Sequence, residues 1–146
     1  MAVLASVAMD LVNDKAANRA KMDSYVEKAA AQNADFVLFP ELALGGVPKN
    51  PMFIFNPDDA KYQHDVAELV PEGDSTQHFI EMAKKLDIYI GWGMAEQSHE
   101  RFDALYNTLV VVGPEGFVGK YRKVHQPLTE RIMFYSDFGQ PRTTSK

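Results

Sequence analysis

Cysteine is absent from the 146 residues of this chain. Its absence excludes disulfides, thiolate metal sites and any cysteine nucleophile supplied by the chain itself. Long hydrophobic runs are absent too, since runs such as residues 36–39 are far shorter than the roughly 18 residues that span a bilayer. The apolar start, residues 1–9, lacks the basic stretch of a signal peptide and is typical of a buried strand. We therefore expect a soluble cytoplasmic protein without a membrane partner.

Excess positive charge is also missing, because 15 basic side chains stand against 20 acidic ones and the formal net charge is -5. Such a chain has no general attraction to phosphate backbones, so nucleic acid is not an expected partner. What the sequence does contain is 46% hydrophobic and 24% charged residues, which is the composition of a folded globular protein. Its length suits one domain with a single core.

The N-terminal part of the chain alternates between strand and helix patterns. Residues 3–9 form a short apolar run, and Asn13 or Asp14 then offers a cap for a helix with apolar residues at helical spacing. Asn33 can end that helix. Residues 35–40 follow with four consecutive large apolar side chains, which predicts a strand buried on both faces. The order strand, helix, strand indicates an α/β fold.

The later part of the chain adds a loop, a helix and a hairpin. Residues 41–59 contain glycines and prolines without periodicity and are predicted to form a long loop. A second helix is predicted at residues 75–86, capped by Asp74 or Ser75 and followed by a strand. Residues 105–121 predict a β-hairpin, because a Gly-Pro-Glu-Gly turn separates two apolar runs.

Glu41 is the first candidate for chemistry. It comes directly after the strand predicted at residues 35–40, at its carboxyl end, where open α/β sheets place ligand-binding and catalytic groups. The alternative interpretation is a solvated loop carboxylate without a role.

Lys123 is the second candidate. If the last hairpin strand continues, Tyr121, Lys123 and His125 share one of its faces. A lysine on the inner face of an apolar sheet needs a carboxylate partner, because burying an unpaired ammonium is very unfavourable. Glu41 and Glu130 are the plausible partners. The alternative is an ordinary basic strand end in water.

Metal and cofactor sites are not predicted. The histidines, at positions 64, 78, 99 and 125, show neither a pair at i, i+4 nor the spacing of a zinc motif. Residues 45–49 lack the length and the hydroxyl of a phosphate loop, and residues 91–93 lack the third glycine of a dinucleotide fingerprint. We expect no metal and no cofactor.

Three motifs occur in a fixed order: FPELALGG at residues 39–46, Tyr-Asn-Thr leading to the Gly-Pro-Glu-Gly turn at residues 106–116, and GKYRKVH at residues 119–125. Together they resemble the nitrilase superfamily of carbon-nitrogen hydrolases, over the N-terminal half of that family's catalytic domain. The resemblance implies a partial form of the family's four-layer α-β-β-α sandwich. It assigns residues 1–138 to a partial carbon-nitrogen hydrolase domain and leaves residues 139–146 as a polar tail.

The resemblance also implies roles for three residues. Glu41 corresponds to the general base, Lys123 to the group that stabilises the oxyanion of the tetrahedral intermediate, and Glu130 to a second glutamate that orients the lysine. The implied substrate is a small amide, carbamoyl or nitrile compound. The family's nucleophile is a cysteine, which has no counterpart in this chain. Ser136 lacks the sharp strand-to-helix turn that a substitute nucleophile would need.

Two functions stay open from sequence alone. One is a hydrolase fragment that is inactive by itself, and the other is a non-catalytic binding or assembly module with the same fold. A truncated or frameshifted reading frame, an expressed fragment and a genuine short protein are all compatible with the sequence. Half of a sandwich leaves apolar strand faces uncovered, so we expect a homo-oligomer. We also expect the charged groups of Glu41 and Lys123 to lie within about one Debye length of each other.

Overall fold

The α/β fold predicted from the sequence is confirmed. The computed structural model describes residues 1–47, 57–128 and 130–137, together with the backbone of residues 142–143. In chain order the elements are β1 (Leu4–Ser6), α1 (Lys15–Ala31), β2 (Phe36–Leu38), α2 (Pro57–Val66), α3 (Asp74–Leu86), β3 (Tyr89–Gln97), β4 (Leu105–Gly113), β5 (Gly116–Arg122), α4 (Glu130–Met133) and β6 (Arg142–Thr143). Among these described helices, none combines the length and the apolar character needed to cross a membrane.

The strands form one mixed sheet in the order β1-β2-β3-β4-β5-β6. The first three strands are parallel, and the pairs from β3 onward are antiparallel. The predicted hairpin is confirmed as β4 and β5, and Gly116 at its turn has a φ of 115°, which glycine adopts without strain. Val112 pairs with Phe117 but Val111 pairs with Gly119, so β5 carries one extra residue, Val118, in a β-bulge.

Helix α1 is set by its cap and its apolar stripe. Of the two predicted caps, Asp14 acts: its side chain accepts a hydrogen bond from the Ala17 N–H at 3.0 Å. Asn33 follows the helix with a φ of 58°, the left-handed conformation that ends helices. Met22 and Val26 turn toward the sheet and are fully buried. Both predicted helix boundaries are therefore confirmed.

The main core lies between the sheet and the helices α1 and α3, which cover one face. The helices contribute Met22, Val26, Phe79 and Ala83, and the strands contribute Val37, Ile90, Trp92, Val110 and Val112. The prediction that residues 35–40 are buried on both faces is wrong. Val37 points to the helices and is fully buried, whereas Phe36 and Leu38 on the opposite face are only partly buried. The apolar run correctly indicates two apolar faces, but α1 and α3 pack on only one.

The loop predicted at residues 41–59 ends earlier than expected. Helix α2 begins at Pro57, whose fixed φ suits the first helical position, and Asp58 and Asp59 place negative charge at its N-terminal end. Proline and aspartate are also common in loops, so the sequence pattern did not separate the two cases. The middle of the predicted loop, residues 48–56, lies outside the described residues.

The segment predicted as a polar tail, residues 139–146, contains the short strand β6. Its backbone pairs antiparallel with Gly119 and Lys120 of β5. Two residues are too few to show an alternating pattern, so this strand could not be predicted from the sequence. Residues 139–141 and 144–146 lie outside the described residues, and the predicted domain boundary at residue 138 stays a prediction.

Helix α3 is capped by Glu68, and the prediction of Asp74 or Ser75 as the cap is wrong. Gly73 is the N-cap residue and makes no side-chain cap bond. The Glu68 carboxylate instead accepts hydrogen bonds from the N–H and the hydroxyl of Ser75 at 2.8 and 2.7 Å. A Cβ at Gly73 would lie 2.6 Å from Glu68, so glycine leaves the room that this carboxylate needs. Lys15 completes the site with an ion pair of 2.9 Å.

We expect Glu68→Gln to lower the free energy of unfolding by about 1–3 kcal/mol, because charge-assisted bonds to Ser75 and Lys15 are lost at a buried position. Burial raises the pKa of Glu68, but the bonds from Ser75 and Lys15 outweigh burial and hold the pKa below its ordinary value. The stabilisation is therefore present above the unfolded carboxyl pKa of about 4.3 and is lost as the pH falls through the folded value.

Urea unfolding of the wild type and of Glu68→Gln, at neutral and at acidic pH, measures this loss of stability. The difference in the free energy of unfolding between the two proteins should shrink in acid. Glu72→Gln is the matched control, because Glu72 is an exposed carboxylate of the same segment that contacts His99. An equal loss of stability in the two variants would contradict the capping role of Glu68.

Candidate active site

Glu41 stands in a turn that follows β2 and rests on β3. The Gly93 N–H donates to the carbonyl of Pro40, and the Leu44 N–H donates to the carbonyl of Gly93, both at 3.2 Å. A Cβ at Gly93 would lie 2.5 Å from the Leu42 nitrogen and 2.7 Å from the Glu41 Cα. Glycine at this position lets the turn approach the sheet closely, and this approach fixes the height of Glu41 above β3.

Lys123 directly follows β5 and reaches the same place from another strand. Its N–H donates to the Asn107 carbonyl at 2.8 Å, which extends the pairing of β4 with β5 by one residue. The strand alternation puts Tyr121, Asn107 and Lys123 on the face opposite to α1 and α3. This agrees with the predicted shared face of Tyr121 and Lys123, although β5 ends at Arg122, before His125.

The carboxylates of Glu41 and Glu130 hold the Lys123 ammonium between them. Lys123 Nζ donates to Glu41 Oε1 at 2.7 Å and to the two oxygens of Glu130 at 3.0 and 2.9 Å. Asn107 Nδ2 donates to Glu41 Oε1 at 2.6 Å and to Glu130 Oε2 at 3.4 Å. The predicted convergence of Glu41 and Lys123 is confirmed, and we call these four residues the carboxylate-lysine cluster.

The protonation of the cluster follows from its contacts. Burial raises the pKa of Glu41, but the hydrogen bonds from Lys123 and Asn107 and the charge of Lys123 outweigh it and hold the pKa below its ordinary value. Burial lowers the pKa of Lys123, but the hydrogen bonds and charges of Glu41 and Glu130 outweigh it and raise that pKa. At neutral pH the cluster therefore contains a carboxylate that can accept a proton and an ammonium that can stabilise negative charge.

The two glutamates differ in access. The Glu41 side chain is 52% exposed, whereas the Glu130 side chain is 19% exposed and uses both oxygens on Lys123. Glu41 is thus open to a reacting group, and Glu130 is occupied in holding the lysine. Within the described residues, no group of three histidine, aspartate or glutamate side chains is placed to hold a metal ion.

A family model for carbon-nitrogen hydrolases matches residues 3–143 of this chain. The chain belongs to the carbon-nitrogen hydrolase family. A nitrilase of Pyrococcus abyssi is 35% identical over 117 residues, which make up 80% of this chain and 40% of the relative. An omega-amidase of Homo sapiens is 37% identical over 125 residues, which make up 84% of this chain and 40% of the relative.

Solved structures show the same carbon-nitrogen hydrolase fold. The NitN amidase from Neterenkonia sp. AN1 matches with a TM-score of 0.70 at 18% identity, over 100% of this chain and 53% of that chain. At this identity the likeness shows the fold alone. The chain spans about 40% of the length of the curated relatives named above, so it has part of the fold, as the sequence motifs predict.

Family membership makes the missing cysteine informative. The chain contains none, so the catalytic cysteine of carbon-nitrogen hydrolases is absent from it. The roles of Glu41, Lys123 and Glu130 stay predictions that the cluster geometry makes chemically reasonable. Sequence reasoning missed the part played by Asn107. The available signal was the Tyr-Asn-Thr motif, which marks an amide in the middle of an otherwise apolar strand.

We expect Lys123→Met to raise the pKa of Glu41, because the variant removes a hydrogen bond and a positive charge while burial remains. In the wild type, the low pKa of Glu41 and the high pKa of Lys123 together mean that the pair stabilises the fold between about pH 4.3 and 10.4. The stabilisation is lost as the pH falls through the folded pKa of Glu41 or rises through that of Lys123.

NMR titration of the carbon-13-labelled Glu41 carboxyl group measures this shift. Lys15→Met is the matched control, because it removes a similar ammonium from Glu68 and leaves the cluster unchanged. A Glu41 pKa that is the same in Lys123→Met and in the wild type would show that the 2.7 Å contact does not govern the site.

Proposed function

We propose that this chain supplies the acid-base and electrostatic groups of a carbon-nitrogen hydrolase site. Glu41 is the general base, Lys123 stabilises the developing negative charge, and Glu130 orients Lys123. The observation that supports the proposal is the Lys123 ammonium held between two carboxylates at 2.7 and 2.9 Å. The cluster is already assembled from four segments, namely the turn after β2, the strand β4, the residue after β5 and the start of α4, and such positioning of reacting groups favours catalysis.

The proposed reaction follows from where these groups lie. The Glu41 carboxylate takes the proton of a thiol, and the sulfur attacks the carbonyl carbon of an amide or the carbon of a nitrile. Negative charge then grows on the substrate oxygen or nitrogen, where the Lys123 ammonium stabilises it. For an amide, collapse of the tetrahedral intermediate breaks the carbon-nitrogen bond, and Glu41 returns the proton to the leaving ammonia. Water then hydrolyses the thioester.

The proposed substrate is a small amide, carbamoyl or nitrile compound. The names of the two relatives, omega-amidase and nitrilase, indicate amides and nitriles as the substrates of those proteins. Two carboxylates around one ammonium give the cluster a net negative charge, so a neutral reacting group fits it better than an anionic one. The thiol must come from outside these residues, because the chain has no cysteine.

We expect the purified chain to release no ammonia from small amides, because it lacks the nucleophile. We expect activity from a hybrid in which the chain replaces the matched 40% of the Pyrococcus abyssi nitrilase and the rest of that nitrilase is kept. In that hybrid, Glu41→Gln and Lys123→Met should each lower kcat by about 10²-fold or more. An ammonia assay measures the purified chain, the hybrid and its two variants.

Lys61→Met is the control, because Lys61 pairs with Asp65 on the exposed surface of α2. A hybrid that folds but stays inactive would contradict the proposed role of the cluster, and so would one whose activity survives Glu41→Gln. Ammonia release by the chain alone that disappears in Glu41→Gln would contradict the need for an external thiol.

A second candidate function, assembly with another copy of the chain, is favoured by the sheet face opposite to α1 and α3, which the described residues cover only in part. The residues that strand register puts on this open face include seven large side chains: Leu4, Phe36, Leu38, Tyr89, Leu109, Val111 and Tyr121. None is charged, and Leu4, Tyr89, Leu109 and Tyr121 are 63%, 42%, 37% and 43% exposed. An exposed apolar face of this kind marks an association surface.

A second copy suits this part of the face, because the seven side chains form an uncharged, apolar surface that complements the same surface of another copy. Five strands spaced about 4.8 Å apart give a footprint of roughly 400 Å² per copy. The total of about 800 Å² for two copies is below the roughly 1,200–2,000 Å² of stable specific interfaces, so we propose a weak dimer formed by face-to-face sheet packing.

We expect the wild type to form dimers in sedimentation at high concentration, and Leu109→Lys to weaken the association about tenfold or more, since dimerisation would bury an ammonium. Phe102→Lys is the control, because Phe102 is 95% exposed and lies off the sheet. A wild type that stays monomeric would contradict the proposed dimer. If Leu109→Lys and Phe102→Lys weakened dimerisation equally, the dimer would not form through the open face.

A further inference from the structure

Glu96 is a fully buried carboxylate that the proposed reaction does not use. It lies on β3, on the face that α1 and α3 cover. Its Oε1 accepts hydrogen bonds from Lys120 Nζ at 2.5 Å and from an Arg122 terminal nitrogen at 2.6 Å. Its Oε2 accepts from Arg122 Nε at 3.0 Å and from the Thr108 hydroxyl at 2.7 Å. Each carboxylate oxygen thus accepts two hydrogen bonds, and Arg122 binds the carboxylate in a bidentate manner.

The Arg122 side chain is held by contacts with three residues: Glu96, Asp137 and Tyr106. Besides the two bonds to Glu96, its other terminal nitrogen donates to Asp137 at 3.2 Å. Its guanidinium carbon lies 3.8 Å from the centroid of the Tyr106 ring, in cation-π contact. A planar guanidinium that makes a bidentate contact with a carboxylate and stacks on an aromatic ring has little freedom to rotate. The backbone at the end of β5 is therefore anchored through this side chain.

This anchor lies directly behind the carboxylate-lysine cluster. Arg122 and Lys123 are consecutive, so their side chains leave the strand on opposite faces. The neighbouring strand β4 repeats the arrangement: Thr108 bonds Glu96 on the helix side, and Asn107 bonds Glu41 on the other side. The described residues of β6 pair only with Gly119 and Lys120, before this point of β5. The direction of Lys123 thus depends on β4 and on the hold that Glu96 has on Arg122.

We propose that Arg122, held by Glu96, is a positioning residue that sets the direction from which Lys123 approaches Glu41 and Glu130. The inference rests on the proposed function in that it takes Lys123 as a functional group. Its test needs no turnover, because the contact between Lys123 and Glu41 can be measured in the chain as it stands.

The test compares Arg122→Met with Lys120→Met. Each variant removes one cation from buried Glu96, so each weakens the same ion cluster, but only the first releases the strand end beside Lys123. We expect Arg122→Met to raise the pKa of Glu41 by about one unit or more, measured by carboxyl NMR titration, as Lys123 drifts away. Lys120→Met should leave that pKa near the wild-type value. Circular dichroism and urea unfolding show how far each variant is destabilised.

Arg122→Lys separates geometry from charge, because it keeps a cation opposite Glu96 but cannot grip the carboxylate with two coplanar nitrogens. We expect it to reproduce part of the Glu41 shift, and it takes the place of Arg122→Met if that variant does not fold. Equal shifts in the Arg122 and Lys120 variants would overturn the proposal, because they would reflect general loosening. An unchanged Glu41 pKa in the Arg122 variants would overturn it as well, whereas an inactive hybrid enzyme would contradict only the proposed reaction.

Discussion

An unpaired charge cannot stay inside an apolar sheet, and this constraint organises the functional end of the molecule. Lys123 leaves β5 on one face and meets two carboxylates, and Arg122 leaves it on the other face and meets Glu96. The sheet therefore carries two ion clusters back to back, separated by the thickness of its backbone. The cluster on the helix side is buried and saturated with hydrogen bonds, which favours rigidity. The cluster on the other side keeps one half-exposed carboxylate, which favours chemistry.

Much of this arrangement could be predicted from the sequence, because its signals are local. The cap at Asp14, the Gly-Pro-Glu-Gly turn and the apolar runs depend on neighbouring residues, and they placed α1, the hairpin and the parallel strands. The meeting of Glu41 and Lys123 followed from two general rules, that strand ends collect functional groups and that a lysine in an apolar sheet needs a partner.

The features that the sequence did not predict depend on contacts that lie outside the pattern of the element concerned. Glu68 caps α3 from outside the helix, and a glutamate in a loop gives no sign of such a contact. Glu96 stands in a strand where its polarity is visible, but the identity of its partners is not. The burial of residues 35–40 was overestimated, because a run of apolar side chains shows that both faces are apolar without showing what covers them. The Tyr-Asn-Thr motif shows that Asn107 is a polar residue in an apolar strand, but it does not show that Asn107 contacts Glu41 and Glu130.

The bulge at Val118 gives the hairpin a consequence for the site, because it sets the phase of every later residue of β5. Phe117 faces the helices opposite Val112, and with strict alternation from there Lys123 would also face the helices, with Arg122 on the open side. The bulge takes Val118 out of the alternation, so that the flexible ammonium reaches Glu41 and the planar guanidinium reaches Glu96. A regular strand that kept Val118 would exchange the two cations between the clusters, whereas deleting Val118 would remove the bulge and leave each cation on its present face.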